Sequence, residues 1–469
     1  MFRSGREGGG LFVMRRTGES VRRVTDFGYN PSWSPDGREL VFGTQPNNQN
    51  PFPGLGDAQR HEIWVVKLQT GQPRRLTRAF GRQPSWSPGG DCVAYESKRD
   101  IWVVPAVDGE PVAVTRDEAI DWNPVWSPDG KYLYFESNRE GTMNVWRVPI
   151  DEASGKTLGP PEPISAPSPF TASLSFAADG RRFVYSSVIR RDNIQKVPFD
   201  PSAERVVGNP RSVTVGSRSW IFPALSPDGE HVALWSWFAQ EDIYTIRSDG
   251  RGETQLTNDA AFDRLPRWSP DGRRIAFYSN RSGKSEIWVI NSDGSNLRQL
   301  TETTEDVTYP VWSPDGSRMA ATGSGGHGVW LFDPNRPWSE QSPEKLPPPA
   351  GTDSHFRAFS WSPDGKRLAG QGGSTGLGSG IIVFSLESRS YARLTDAGTW
   401  PVWLSDSRRL LLHTNQALSL LDSRSGQVRE ILSIPDDGVS APAVTRDDRW
   451  IYFYRRTEEA DIWMGTVKQ

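Results

Sequence analysis

The sequence predicts an all-β fold: a β-propeller of four-stranded blades, about ten repeats, in one closed ring. Three observations predict it. One phrase recurs, as PSWSPDGRELVFGT from residue 31, PVWSPDGKYLYFES from 124, PRWSPDGRRIAFYS from 266, PVWSPDGSRMAATG from 310 and FSWSPDGKRLAGQG from 359. Its aromatic or apolar anchor falls at Trp33, Trp86, Trp126, Phe176, Leu225, Trp268, Trp312, Trp361, Trp403 and Val444, at intervals of 40 to 53 residues. Self-similarity at that period is the mark of stacked supersecondary units. Finally, apolar residues do not recur at helical spacing, while short β-branched and aromatic runs are everywhere.

Each repeat divides into four strands. Strand A is P-x-W. A Ser-Pro-Asp-Gly turn follows, in which proline fixes φ, aspartate caps through its carboxylate and glycine accepts positive φ. Strand B is an alternating run such as RRIAFYS. Strand C is the phrase EIWVVK at 62, DIWVVP at 100, NVWRVP at 144, DIYTIR at 242, EIWVIN at 286, GVWLFD at 328 and DIWMGT at 461. Strand D is x-x-L-T, as in RRLT at 74, TQLT at 254, RQLT at 298 and ARLT at 392. Tryptophan fills seven of the ten anchors and six of the strand C phrases. A lone blade cannot bury both faces, so these indoles are read as packing between blades. Burying about 200 Å² of indole stabilises by roughly 5 kcal/mol before entropy is subtracted.

The chain is read as a single domain, 1–469. The last repeat (442–469) has strands A to C and no D, while residues 11–25 (LFVM and RRVT) look like C and D strands with no A or B before them. Residues 11–25 are therefore expected to close the ring with the last blade, although LFVM is one C-type strand too many. The longer joints at 151–168 and 333–353 are the seams expected if there are two rings.

The P-x-W-S-P-D-G unit with its I-W-V-V and L-T phrases resembles the TolB-type WD-like propeller repeats. That family includes a component of the Tol–Pal envelope system, the propellers of tricorn-type and prolyl-oligopeptidase-type peptidases, and sensor propellers fused to bacterial kinases and winged-helix regulators. The N-terminal stretch looks most like the sensor group. The resemblance implies the fold; one propeller hosts many functions.

Composition narrows the classes. Net charge is −3 with no basic run, so no nucleic-acid partner is expected. Cys92 is the single cysteine, which excludes an internal disulfide and a zinc site built on several thiolates. No apolar run reaches about 18 residues, so no membrane insertion is expected. MFRSGREGGG has no apolar core of a signal peptide, so the cytoplasm is the default location, or the periplasm if the chain is part of a larger envelope protein. A monomer is expected.

Candidate chemistry is sparse. Gly323, Gly325 and Gly328 match G-x-G-x-x-G, but between two strands, where no helix N-terminus receives a phosphate. Ser374 lies in G-x-S-x-G, again between strands B and C, with no hydrolase domain following. His61, His231, His327, His355 and His413 show no metal-site spacing. The turn carboxylates (Asp36, Asp129, Asp228, Asp271, Asp315 and Asp364) recur once per blade, and turn structure accounts for them. No catalytic, cofactor or metal residues are assigned, and no cofactor is expected.

Binding is placed where strand D passes to strand A, at one mouth of the channel. Tyr29, Arg82, Trp122, Trp220, Arg264, Tyr309, His355, Arg357 and Trp400 form the expected rim, and aromatics with arginine are the types enriched in binding hot spots. The B–C loops, including 44–61 and the Gly-rich 370–380, are expected on the same face. The expected function is a non-enzymatic binding or scaffold propeller taking a protein segment or small ligand. One alternative is a lyase or hydrolase acting on sugar or peptide, using His327, His355, Arg357 and Asp353. Another is the C-terminal sensor half of a kinase or transcriptional regulator.

Overall fold

The computed structural model describes all residues except 6–8, 45–61, 78–79, 108, 118, 141–142, 165–170, 178, 217, 238–240, 324–327, 350–354, 373–379, 415–416, 435–437 and 467–469. The described residues form strands and a single 3-10 turn, Trp338–Glu340, with no α-helix. Ten strands end on the ten anchor residues: Tyr29–Trp33, Arg82–Trp86, Asp121–Trp126, Thr171–Phe176, Ser219–Leu225, Asp263–Trp268, Val307–Trp312, Phe356–Trp361, Thr399–Trp403 and Gly438–Val444. Most open a four-stranded antiparallel meander, such as Asp263–Trp268, Arg274–Ser279, Glu286–Asn291 and Arg298–Gln299. The fold is an all-β propeller of the TolB type.

The recurring phrases have recurring jobs. In the first S-P-D-G turn the Ser34 hydroxyl donates to Asp36 Oδ1 at 2.6 Å and accepts from the Glu39 amide at 2.9 Å. The Arg38 amide donates to the same carboxylate oxygen, and Gly37 takes φ +68°. The same bonds hold Asp129, Asp228, Asp271, Asp315 and Asp364 to their turn serines. The L-T phrase is less a strand than a clamp. The hydroxyls of Thr77, Thr115, Thr214, Thr257 and Thr301 accept from the amides of Ile63, Ile101, Ile194, Ile243 and Ile287, each the opening apolar residue of its strand C phrase. That satisfies an amide beyond the short D-strand ladder.

Cores lie between sheets. Trp126 packs with Cys92, Ala94, Ile101 and Val103 of the preceding sheet, and Trp403 with Ala369, Ile381 and Val383 of its own predecessor. The anchor indoles Trp86, Trp126, Trp312, Trp361 and Trp403 are all buried, while Trp33 remains 39% exposed.

The chain forms two compact units, residues 1–189 with 459–469, and residues 190–458. In the second unit the inner strands pack in sequence from Ser219–Leu225 through Asp263–Trp268, Val307–Trp312, Phe356–Trp361 and Thr399–Trp403 to Gly438–Val444. Gly438–Val444 packs in turn against Ser219–Leu225, so six inner strands contact one another in a circuit. In the first unit Tyr29–Trp33, Arg82–Trp86, Asp121–Trp126 and Thr171–Phe176 pack in the same serial way.

This differs from one ring holding all ten repeats. Counting repeats gives the number of blades; only strand packing says which blades share an axis. The ends differ too. Leu11–Val13 pairs with Phe2–Arg3 and with Arg22–Thr25 in a three-stranded sheet. The strand beside Trp450 onward is Arg182–Asp200, with Arg211–Ser212 outside it, in the place expected for 11–25. The reason is in residues 193–198, NIQKVP: this is the fourth repeat's strand C without its tryptophan. Ile194, Val197 and Phe199 are buried there, and Asp192 pairs with Arg456 at 2.6 Å.

Candidate functional site

Each inner strand contains an irregularity just before its anchor. In the second unit the ladder shifts between Ile221 and Ala224, Arg264 and Arg267, Thr308 and Val311, Ala358 and Ser360, Thr399 and Val402, and Ser440 and Ala443. A bulge leaves a residue unpaired and re-aims its side chain. At five of these six sites the residue three before the anchor takes a left-handed conformation: Phe222 (φ +52°), Leu265 (+54°), Tyr309 (+56°), Trp400 (+57°) and Ala441 (+48°). The remaining inner strand, Phe356–Trp361, lacks the P-x-W proline, and Phe359 stands in its place.

The bulges gather the aromatics. Phe222 lies 4.3 Å from Trp400 and stacks on Trp235 at 4.8 Å. Phe359 lies 4.6 Å from Trp400 and 5.0 Å from Tyr309. Phe222, Tyr309 and Phe359 are buried, whereas Trp400 is half-buried. Phe222, Phe359 and Trp400 line a small, partly open cavity of about 20 Å³, together with Pro401, Ala441 and Arg267 among others. Burial raises the Tyr309 phenol, so it stays a neutral hydroxyl.

The equivalent positions of the first unit are polar: Asn30 (φ +49°), Gln83 (+50°), Asn123 (+52°) and Ser173 (+59°). The Asn123 amide donates to Gln83 Oε1 at 2.8 Å, and Asn123 Nδ2 to Glu136 Oε1 at 3.1 Å. Burial pushes Glu136 well above the usual carboxylate range.

The nine rim residues do not form one rim. Tyr309 and Trp400 come together, with ring centroids 6.2 Å apart. Half-buried Arg357 lies near enough to act electrostatically on Tyr309. Arg264 is buried beneath them in an ion pair with Glu241, and it hydrogen-bonds Tyr278. Burial works to lower that guanidinium, and the charges and hydrogen bonds of Glu241 and Tyr278 together more than offset it, so the net shift is upward. Trp220 is a wall residue, 2% exposed and 4.9 Å edge-on to Tyr244. His355 is half-buried just ahead of Phe356–Trp361. Tyr29, Arg82 and Trp122 belong to the first unit. There Tyr29 accepts from Arg3 at 2.8 Å, Arg82 lies over the Phe80 ring at 4.7 Å, and Trp122 is buried.

One residue of register separates these outcomes. Tyr29, Arg82, Trp122, Arg264 and Arg357 stand four before their anchors; Tyr309 and Trp400 stand three before. Side chains alternate along a strand, so a one-residue difference sends them to different surroundings. Phe222, Phe359 and Arg267 were missed; the proline before the anchor marks the bulge beside Phe222 and Arg267, while Phe359 itself stands at the proline position. His61, His327, Asp353, Ser374, Gly325 and most of loops 44–61 and 370–380 lie outside the described residues. Among the described residues, no group of three or more His, Cys, Asp or Glu is placed to hold a metal, and no helix is long and apolar enough to cross a membrane.

The sequence model of the TolB beta propeller domain matches residues 56–209 and 175–332, more than half the chain. The chain belongs to the TolB beta propeller domain family. As a TolB-type propeller it is 31% identical over 172 residues to an uncharacterized protein of Agrobacterium fabrum, covering 35% of this chain and 52% of that one. It is 28% identical over 158 residues to a TolB homolog of Chlorobium luteolum, covering 34% of this chain and 33% of the relative. The chain thus spans about half or less of the length of these curated relatives. Among solved structures, TolB from Acinetobacter baumannii aligns over 90% of this chain and 80% of its own, at 14% identity and a TM-score of 0.29.

Proposed function

We propose that this TolB-type propeller is a binding or scaffold module that takes a protein segment or small ligand at the inner strands of its second unit. The observation that carries this is the cavity over Phe222, Phe359 and Trp400. A left-handed conformation costs a non-glycine residue about 1–3 kcal/mol, and such strain gathers at ligand sites. Asparagine tolerates that conformation best, and Asn30 and Asn123 use it in the first unit. Phe222, Tyr309 and Trp400 tolerate it poorly, so the second unit retains the strain in favour of aromatic surface. A bare channel plug would need no half-buried indole beside open space.

The test is selection of a phage-displayed random heptapeptide library on the whole protein, with affinities then compared for Trp400→Ala. Enriched peptides that bind the variant at least tenfold more weakly support the reading. No enrichment, or binding indifferent to Trp400, overturns it.

A further inference from the structure

The residue immediately before each anchor is Ser32, Ser85, Val125, Ser175, Ala224, Arg267, Val311, Ser360, Val402 and Ala443. Nine are small or β-branched, and one is an arginine. The position is small for a packing reason. At Ser32 and Ser360 the hydroxyl accepts the anchor amide of the next sheet, from Trp86 at 3.2 Å and from Trp403 at 3.1 Å. A long cation there breaks the pattern of the repeat.

Arg267 makes no structural use of its charge. Its Nη1 donates locally to the neighbouring Pro266 carbonyl at 3.2 Å. Among the described residues no carboxylate lies within ion-pair distance of it. Contrast Arg264, three residues away, which is locked to Glu241. Arg267 instead lines the cavity beside Phe222, Phe359 and Trp400. Arg267 is half-buried, and desolvation pushes its guanidinium down to about 10, with no nearby acid to oppose it. A desolvated cation without a partner destabilises the empty protein. An arginine so placed presents a planar fork suited to a carboxylate.

We infer that Arg267 makes this cavity a carboxylate site, selecting ligands whose carboxylate is borne on an apolar stem. The free C-terminus of a peptide ending in an apolar residue, or a small arylalkyl acid, carries the required chemistry. The carboxylate meets the guanidinium, and the stem lies on the indole of Trp400 and the ring of Phe359. This rests on the binding role proposed above and names what that site takes.

The test uses two probe pairs on the whole protein by titration calorimetry. One is N-acetyl-phenylalanine against its amide; the other is the random heptapeptide pool synthesised as free acids and as C-terminal amides. The wild type is expected to favour the acid at least tenfold in one pair, the small pair pointing to a free acid and the peptide pair to a chain terminus. Arg267→Gln is expected to bring the acid-to-amide ratio near one. Equal binding of acid and amide that still falls with Trp400→Ala overturns the carboxylate site and leaves the binding role standing. Failure of every probe overturns both. In the absence of probe, Arg267→Gln is expected to melt no lower than the wild type. A Tm several degrees lower would make Arg267 a structural residue and overturn the inference.

Discussion

At the scale of single residues, the repeat assigns two opposite fates to carboxylates. In the S-P-D-G turns a serine hydroxyl and a backbone amide donate to an exposed aspartate; at Asp315, where Ser313 and Ser317 both donate, the carboxyl falls to about 2. Asp242 lies 0% exposed between Gln255 and Thr257, and burial pushes it up to about 6. The consequences for stability have opposite signs. Asp315 is depressed, so its stabilisation is present above the unfolded value near 4 and is lost as pH falls through about 2. Asp242 is raised, so its contribution is present below about 4 and is lost as pH rises through about 6. Unfolding free energy of Asp242→Asn, measured by urea titration at several pH values, is expected to fall less than that of the wild type between pH 4 and 7. An unchanged slope would show that Asp242 titrates normally.

Among elements, the inner strand is where sequence reading succeeded and also where it slipped. The anchors Trp126, Trp312 and Trp361 announced themselves through the S-P-D-G that follows them, because a turn needing proline, aspartate and glycine in order leaves little freedom. The L-T phrases were equally visible, and Thr77, Thr257 and Thr301 clamp strand C. Rim residues were harder, because strand alternation makes Arg264 and Leu265 neighbours in sequence but not in environment, and the bulge inserts a further shift. The fourth repeat's strand C was invisible for a plain reason: Gln195 stands where most other repeats have tryptophan. Its place in the sheet is secured by Asp192, 0% exposed and paired with Arg456 across 264 residues of sequence. Removing one partner of a buried ion pair typically costs about 3–5 kcal/mol. Asp192→Ala is therefore expected to lower unfolding free energy by about 3 kcal/mol, whereas the exposed pair Arg218–Glu253 should change by under about 1 kcal/mol when broken. Equal effects by chemical denaturation would show that the Asp192 pair does not hold the sheet together.

For the whole molecule, the periodicity of 40 to 53 residues gave the fold class, because ten similar units of four strands have few other ways to bury both faces. It did not divide the units. The fourth and last repeats run as strands Arg182–Asp200 and Trp450–Thr466, and the boundaries of the two units fall inside both. Residues 190–458 contain all six inner strands of the circuit together with the outer strands of its last sheet. A chain of 190–458 is thus expected to unfold in one cooperative transition, and a chain of 190–437 to show none, by circular dichroism on heating. Cooperative melting of the shorter chain would show that Gly438–Val444 is dispensable.

Translation meets that sheet in an awkward order. Residues 190–200 leave the ribosome first, and their partner around Arg456 follows 264 residues later. At about 5–20 residues per second the interval is on the order of tens of seconds. Throughout it, a strand with buried positions at Ile194, Val197 and Phe199 has a bare hydrogen-bonding edge. The nascent chain therefore carries a sticky edge throughout that interval, and the strand around Arg456 is the one that covers it.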